Sequence, residues 1–390
     1  MAKYIIEDTT LKNIADAIRD KNGESQQYTP EEMVTKIEEI ETGGGSGGSG
    51  YSIEYINGGV VGKEEKFMQD IENGVWINGN YLFNENTAFD YSQLSGKNLK
   101  LTDCTNLFHK ASTTAFDIDF SNFNTEKVFS FKYAFSYVQY KDSVDLTGIN
   151  TKNATDMSYM FYRCNSLTEI KGLNKLDTSK CEDMRNMFSY ILHSKCNLDL
   201  SNFALGNDER EVQSNNMFDN GIYNSIIFPS SGNMTCSSLF NKAKVNEQIN
   251  MSGIKCYANA SAMLSGATLY GGIILPDFPN ISATLTLGDS SSKIYRLKFG
   301  EGNSFGRDTT AGLTLNLAYL WRGAKETAIP SDYGGGTYEE AFLEFANSIS
   351  VNETGKARTI KIYTTLYNSL SDEQKAILTD KNYTLSSGTS

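Results

Sequence analysis

The sequence predicts an α+β repeat protein with a short N-terminal helical module, a flexible linker, an elongated solenoid and a C-terminal α/β cap. Three observations support this prediction. An apolar residue pair recurs every 22 to 30 residues, segments of alternating polarity lie between the pairs, and a Gly/Ser tract separates all of this from the first 42 residues. A fixed period of this length is typical of solenoids, in which one strand and one short helix per repeat stack on their neighbours.

Residues 1–42 contain two amphipathic patterns with helical spacing. The second follows Thr29 and Pro30, which are suited to cap and begin a helix. The apolar faces consist of Leu11, Ile14 and Ile18 in the first helix and Met33, Ile37 and Ile40 in the second. Because so few residues rarely bury a sufficient core, we expect these faces to pack against another copy of the chain or a larger particle. A lone, marginally stable helical hairpin is the alternative.

The patterns T-x-L-x-x-I-A-D-A-I-R and Y-T-P-E-E-M lie within residues 3–41. This stretch resembles a module found at the start of tail and other minor structural proteins of phages that infect Gram-positive bacteria. The resemblance implies a virion protein of the tail that contacts other tail proteins through this module. With the small size of the module, it also implies a homo-oligomer, for which we expect a trimer.

Residues 43–50 are glycine and serine only and are expected to form a flexible linker. They are not a phosphate-binding loop, since no Lys-Ser/Thr follows them. Residues 51–98 contain no recognisable motif and are interpreted as an N-terminal cap of the solenoid or a β-rich adaptor.

The solenoid is predicted over residues 99–329. A further apolar residue lies three positions before the clearest pairs, which is the spacing of one helical face. Strands of period two are expected between the pairs. The pairs themselves are expected to form an internal ladder, and they are Leu107-Phe108, Ala134-Phe135, Met160-Phe161, Met187-Phe188, Met217-Phe218, Leu239-Phe240 and Met263-Leu264.

The segment DMSYMFYRCNSLTEIKGLNKLDTSKCEDMRNMF, which begins at Asp156, resembles the BspA-like leucine-rich repeat of bacterial surface proteins. The resemblance extends over residues 99–278 and weakens after Phe203. It implies a leucine-rich-repeat solenoid and a role in adhesion, without identifying a ligand. Residues 330–390 resemble the closing segment of phage leucine-rich-repeat proteins. There the pattern predicts a helix after Tyr338, a strand at 359–363, a helix capped by Ser371 and a terminal strand.

Composition excludes several classes of function. A net charge of −12 disfavours nucleic acid as a partner, and no apolar run is long enough to insert into a membrane. The first residues do not have the pattern of a signal peptide. The six cysteines lack C-x-x-C spacing and are expected to be free, buried thiols.

Enzymatic chemistry has little support in the sequence. His109 and His193 are the only histidines, and both are interpreted as surface residues. Asp117 and Asp119 share a face of a predicted strand and are interpreted as solvated carboxylates rather than a glycosidase pair. We therefore expect no catalytic residues, no metal site and no cofactor.

Aromatic residues after the apolar pairs indicate a contact face. Tyrosines are favoured at protein interfaces and on sugar-binding surfaces. The candidate residues for contact with a host surface protein or glycan are Tyr137, Tyr140, Tyr162, Arg163 and Tyr190. Simple packing between adjacent repeats is an equally good interpretation of their positions.

These observations predict a structural protein of the phage tail, in a fibre or baseplate appendage, that binds the host surface. A bacterial cell-surface adhesin and a phage head fibre with the same fold are the alternatives. A polysaccharide depolymerase would require a carboxylate cluster in a groove.

Overall fold

A computed structural model describes residues 51–56, 59–84, 89–111, 119–138, 142–257, 260, 262–281, 284–309 and 311–389. The predicted helical module and linker (residues 1–50) lie outside this set. The predictions for Leu11, Ile14, Ile18, Met33, Ile37 and Ile40 therefore stay predictions.

Helices are few and lie near the two ends of the described chain. The α-helices among the described residues are α1 (Glu64–Glu72), α2 (Tyr338–Ser348), α3 (Thr364–Ser369) and α4 (Asp372–Thr379). Short 3-10 helices are formed by Tyr91–Leu94, Phe120–Asn122, Leu173–Lys175 and Ser331–Tyr333. Both α2 and α4 begin with a capping box, in which Thr337 pairs with Glu340 and Ser371 with Gln374. The predicted helix after Tyr338 and the predicted cap at Ser371 are confirmed.

Short strands make up most of the remaining regular structure. In chain order, β1 to β23 of the described residues are Tyr51–Ser52, Trp76–Asn78, Leu99–Asp103, Phe123–Asn124, Ser143–Asp145, Glu169–Lys171, Asn197–Asp199, Gly206–Asn207, Arg210–Glu211, Ile222–Tyr223, Ser225–Ile227, Gly232–Thr235, Lys244–Val245, Ile249–Asn250, Ile254–Tyr257, Thr268–Leu269, Ile273–Leu275, Thr284–Thr286, Lys293–Ile294, Leu297–Phe299, Leu313–Asn316, Arg358–Tyr363 and Thr384–Gly388.

The strands pair in parallel, except for the antiparallel pair β8 and β9. Each larger sheet joins strands from successive stretches of the chain, in the orders β1-β2-β3-β4, β10-β13-β16-β19, β20-β17-β14-β11-β7 and β18-β21-β22-β23. The smaller sheets are β12-β15, β5-β6 and β8-β9. The described chain is thus a mixed α/β structure built mainly from open parallel sheets.

Several predicted strands are confirmed. Val144, Ile170, Leu198, Ile249 and Ile273 lie in β5, β6, β7, β14 and β17, and each side chain is buried. The predicted strand at 116–120 lies largely outside the described residues, and its last residue, Phe120, begins a 3-10 helix.

The spacing of the apolar pairs predicted a short helix or a turn; the helix is wrong, and the turn is confirmed. The apolar pairs lie in runs of turns, here called the turn segments, at 105–110, 132–137, 158–163, 185–190, 215–220 and 237–242. Each has two residues with left-handed backbone, such as Tyr159 (φ 59°) and Arg163 (φ 60°), which an α-helix does not tolerate. The apolar residues three and four positions apart that suggested a helix lie instead in, or directly before, these turns.

Backbone hydrogen bonds explain this conformation. Every second N–H of a turn segment donates to a carbonyl of the next turn segment along the chain, as from Tyr159 to Arg185 (2.9 Å) and from Phe161 to Met187 (2.9 Å). The intervening N–H groups donate three residues back, as from Tyr162 to Tyr159 (3.0 Å). Each turn segment therefore satisfies its backbone partly through its neighbour and not as an isolated helix.

The predicted internal ladder is confirmed. Phe83 and one phenylalanine of each turn segment stack in succession, at centroid distances of 5.2 to 5.9 Å and interplanar angles of 2 to 17°. This Phe ladder consists of Phe83, Phe108, Phe135, Phe161, Phe188, Phe218 and Phe240, all at most 1% exposed. The core is one continuous cluster along the described chain.

The prediction of six free thiols is wrong for two cysteines. Cys236 and Cys256 form a disulfide with a Cα–Cα distance of 5.7 Å. They lie at neighbouring parallel strands β12 and β15, which bring together residues 20 positions apart in sequence. The other four are free and buried, as predicted, and burial raises the pKa of Cys164 to about 12.

Arg358 anchors the C-terminal region. Its side chain is buried, with the residue 1% exposed, and its Nη atoms donate to the carbonyls of Gly306 (2.6 Å), Thr309 (2.8 Å) and Ala311 (2.8 Å). Burial lowers its pKa from the usual arginine value. The sheet β18-β21-β22-β23 also crosses the predicted boundary at residue 329, so the cap and the end of the predicted solenoid share one sheet.

Candidate contact surface

The outward side chains of three consecutive turn segments form a continuous aromatic patch. We call it the tyrosine–arginine surface and define it as Tyr133, Tyr137, Tyr159, Tyr162, Arg163 and Tyr190, all partly buried. It brings together four of the five residues singled out by the sequence. The fifth, Tyr140, lies outside the described residues.

Arg163 lies at the centre of this surface. Its guanidinium carbon is 5.6 Å from the ring centroid of Tyr137, 5.5 Å from that of Tyr162 and 4.9 Å from that of Tyr190. Such distances allow cation–π attraction. Its Nε donates a hydrogen bond to the Tyr162 hydroxyl (3.2 Å), which raises the pKa of the guanidinium further. Three rings and one hydrogen bond thus fix the position of the cation.

Tyr133 and Tyr159 extend the surface on one side. Their rings stack at 4.5 Å with an interplanar angle of 20°. Burial and the neighbouring tyrosines raise the pKa of Tyr133 to about 12. Its hydroxyl therefore stays protonated at physiological pH and remains a hydrogen-bond donor.

Sequence reasoning missed Tyr133 and Tyr159. Both occupy the first left-handed position of their turn segment, four residues before Tyr137 and Arg163 at the second. The signal that would have found them is the four-residue spacing of polar or aromatic residues that is common to successive turn segments. Asn fills the first position at 106, 186 and 216, as expected for a left-handed backbone.

Bulky residues at these positions are unfavourable in themselves. A left-handed conformation costs a residue other than glycine or asparagine roughly 1–2 kcal/mol. The turn segments nevertheless place Tyr133, Tyr137, Tyr159 and Tyr190 there, with φ between 55 and 60°. Ring stacking between neighbouring segments offsets part of this cost.

His109 and Arg185 border the surface. The His109 ring lies 5.2 Å from that of Tyr137, and its Nδ1 is 2.6 Å from the Ser136 hydroxyl, so this histidine is partly buried among aromatics. Arg185 pairs with Asp183 at 2.5 Å, which neutralises its charge locally. His193 lies apart and accepts the backbone N–H of Lys195 (3.3 Å).

Other chemistry was sought across the described residues. No group of three His, Cys, Asp or Glu side chains in this part of the chain could hold a metal ion. Asp117 lies outside it, and Asp119 caps a 3-10 turn by accepting the N–H of Ser121 (2.9 Å), a contact that lowers its pKa. None of the helices described is long and apolar enough to cross a membrane.

Residues 77–203 match a family model described as Mycoplasma protein of unknown function, DUF285. The matched range includes the first four turn segments and the whole tyrosine–arginine surface. No curated protein and no solved structure matches the chain. The similarity therefore marks the part of the chain that carries the surface, without assigning it an activity.

Proposed function

We propose that this chain is a structural protein of a phage tail, in a fibre or baseplate appendage, that binds the host cell through the tyrosine–arginine surface. The observation that carries the binding role is the clustering of Tyr137, Tyr162, Arg163 and Tyr190 on one outward face. Partly buried tyrosines and arginine offer large contact area at low entropic cost, which is typical of binding surfaces.

The scaffold for this surface is, in our proposal, a leucine-rich-repeat solenoid. The parallel pairing of successive strands and the stacked Phe ladder support it. In such an architecture each repeat contacts its neighbours, so identical positions of consecutive repeats line up on one face. Consecutive repeats would then present their tyrosines as a row.

The virion location rests on the resemblance of residues 3–41 to phage structural modules. The helical faces of Leu11, Ile14, Ile18 and of Met33, Ile37, Ile40 would attach the chain to other tail proteins or form a trimer. The disulfide between Cys236 and Cys256 supports a site of action outside a reducing cytoplasm, since disulfides persist in oxidising surroundings. Several copies on one particle would raise avidity without strong single contacts.

A bacterial cell-surface adhesin is the second candidate, favoured by the resemblance of residues 99–278 to repeats of bacterial surface proteins. A phage head fibre would share the fold and the surface. Immunogold labelling of phage particles and of bacterial cells with an antibody to this chain separates the three. Label on tails supports the proposal, whereas label on heads or on uninfected cells contradicts it.

The binding role is tested by measuring how much fluorescently labelled full chain binds to each of a panel of Gram-positive cells. We expect Tyr162→Ala combined with Tyr190→Ala to reduce cell binding about tenfold or more, as for loss of central contact residues. Tyr367→Ala is the matched control, because this half-buried tyrosine packs near Lys375 in the C-terminal region. Equal binding by the wild type, the double variant and the control would refute the assignment of this surface, and thermal melting confirms that each variant is folded.

A further inference from the structure

We propose that Arg163 binds an anionic group, so that the ligand of the tyrosine–arginine surface carries a carboxylate or a phosphate. This inference rests on the proposed binding role of that surface and specifies the chemistry of its ligand. It follows from the surroundings of the Arg163 guanidinium, which lies near three tyrosine rings.

Arg163 has no acidic partner among the described residues. Among these residues its one side-chain hydrogen bond runs from Nε to Tyr162, and neither Nη atom donates to any of them. By contrast, Arg185 pairs with Asp183, Arg307 with Asp277 and Arg296 with Glu344. Arg163 is also only partly buried, so part of its side chain remains open to solvent.

The guanidinium is held ready for a ligand. Tyr137 and Tyr190, on the preceding and following turn segments, lie 5.6 and 4.9 Å from its carbon, and Tyr162 holds its Nε. The two Nη groups remain available as a planar pair of hydrogen-bond donors for a ligand. Such a pair fits two oxygens of a carboxylate or phosphate, and a side chain fixed in advance loses little entropy on binding.

The neighbouring arginine does not share this role. Arg185, on the next turn segment, is neutralised by Asp183. The tyrosine rings of the surface offer apolar contact for the rest of the ligand, and their hydroxyls offer hydrogen bonds. One fixed cation between aromatic rings favours an anionic glycan or polymer with isolated charges over a neutral one.

The test uses the full chain and three immobilised polymers: poly(glycerol phosphate), polygalacturonate and dextran. They offer phosphate, carboxylate and no charge, respectively. We expect the wild type to bind at least one anionic polymer and to bind dextran much more weakly. Arg163→Gln should weaken binding to that polymer about 10-fold to 100-fold, the usual effect of losing charge-assisted hydrogen bonds. Arg163→Lys should restore part of it, because it keeps the charge without the planar pair of donors.

Two controls match the variant. Lys375→Gln removes one positive charge far along the chain, and Asp183→Asn with Arg185→Gln removes an ion pair from the same surface without changing the net charge. Both should bind like the wild type. Binding to neither anionic polymer, equal binding to dextran, or an Arg163→Gln loss no larger than that of the controls overturns the anion assignment. Cell binding that still depends on Tyr162 and Tyr190 would then leave the proposed function standing.

Discussion

The turn segments and the C-terminal region satisfy their backbones in opposite ways. In the turn segments, alternate N–H groups donate to the next segment, and the Phe ladder runs through all of them. In the C-terminal region, α2 and α4 satisfy most of their N–H groups within the helix and begin at capping boxes. The first region depends on its neighbours, whereas the helices of the second are specified locally. The difference predicts where a single substitution does most damage.

The largest effect is expected in the Phe ladder. Phe161→Ala should lower the free energy of unfolding by about 3–5 kcal/mol, because it removes a fully buried ring that stacks on both neighbours. Urea unfolding followed by circular dichroism measures it. Phe129→Ala is the control: this ring is 60% exposed, and its loss should change stability by at most about 0.5 kcal/mol. Similar losses of unfolding free energy for both variants would show that the Phe ladder is not the source of stability.

Arg358 tests whether the C-terminal region also has one dominant long-range contact. Arg358→Ala should cost about 3 kcal/mol, since the buried carbonyl of Gly306 and the partly buried carbonyl of Thr309 lose their donor. Thermal and urea unfolding measure the loss. Arg358→Lys should recover only part of it, because an ammonium group cannot reach all of these carbonyls. Full recovery by lysine would show that charge alone is required.

The disulfide tests how much a covalent link between neighbouring parallel strands adds to stability. Replacing Cys236 and Cys256 together with alanine should lower stability by about 3 kcal/mol, as for a closed loop of this length. Unfolding in the presence and absence of dithiothreitol measures the effect. The reductant should destabilise the wild type and leave the double variant unchanged. An identical response of both proteins would contradict the bond.

The smallest effects are expected at the capped helices. Thr337→Ala and Ser371→Ala should each cost about 1 kcal/mol, because each removes the acceptor of a helix N-terminal N–H. Thr379→Ala, at the exposed end of α4, should be neutral or slightly stabilising, since alanine favours helix. Chemical unfolding monitored at 222 nm compares the three variants. If these cap variants lost more stability than Phe161→Ala, the proposed difference between the two regions would be wrong.

The accuracy of the sequence predictions follows the same division. The helices α2 and α4, the Ser371 cap and the strand at Arg358–Tyr363 were predictable, because periodicity and capping residues act over a few positions, whereas the short helix α3 was not predicted. The turn segments were misread as helices, since a spacing of three and four residues also arises from left-handed turns. That conformation depends on hydrogen bonds to a neighbouring segment, which no local pattern reveals.

The candidate site was predictable in part. Tyr137, Tyr162, Arg163 and Tyr190 were selected from their position after apolar pairs, and they do lie together. Tyr133 and Tyr159 were missed, because their place in the surface depends on the direction in which the left-handed backbone orients each side chain. The position of Arg163 between rings of two other turn segments is likewise a consequence of stacking.

The sequence by itself determined the period, the buried pairs and the C-terminal elements, all of which depend on local residue type and spacing. Only the tertiary structure decided the conformation of the turn segments, the pairing of Cys236 with Cys256 and the surroundings of Arg163. The physical reason is distance along the chain. These features join residues 20 or more positions apart, and their energies arise only when parallel strands and stacked rings bring neighbouring segments together.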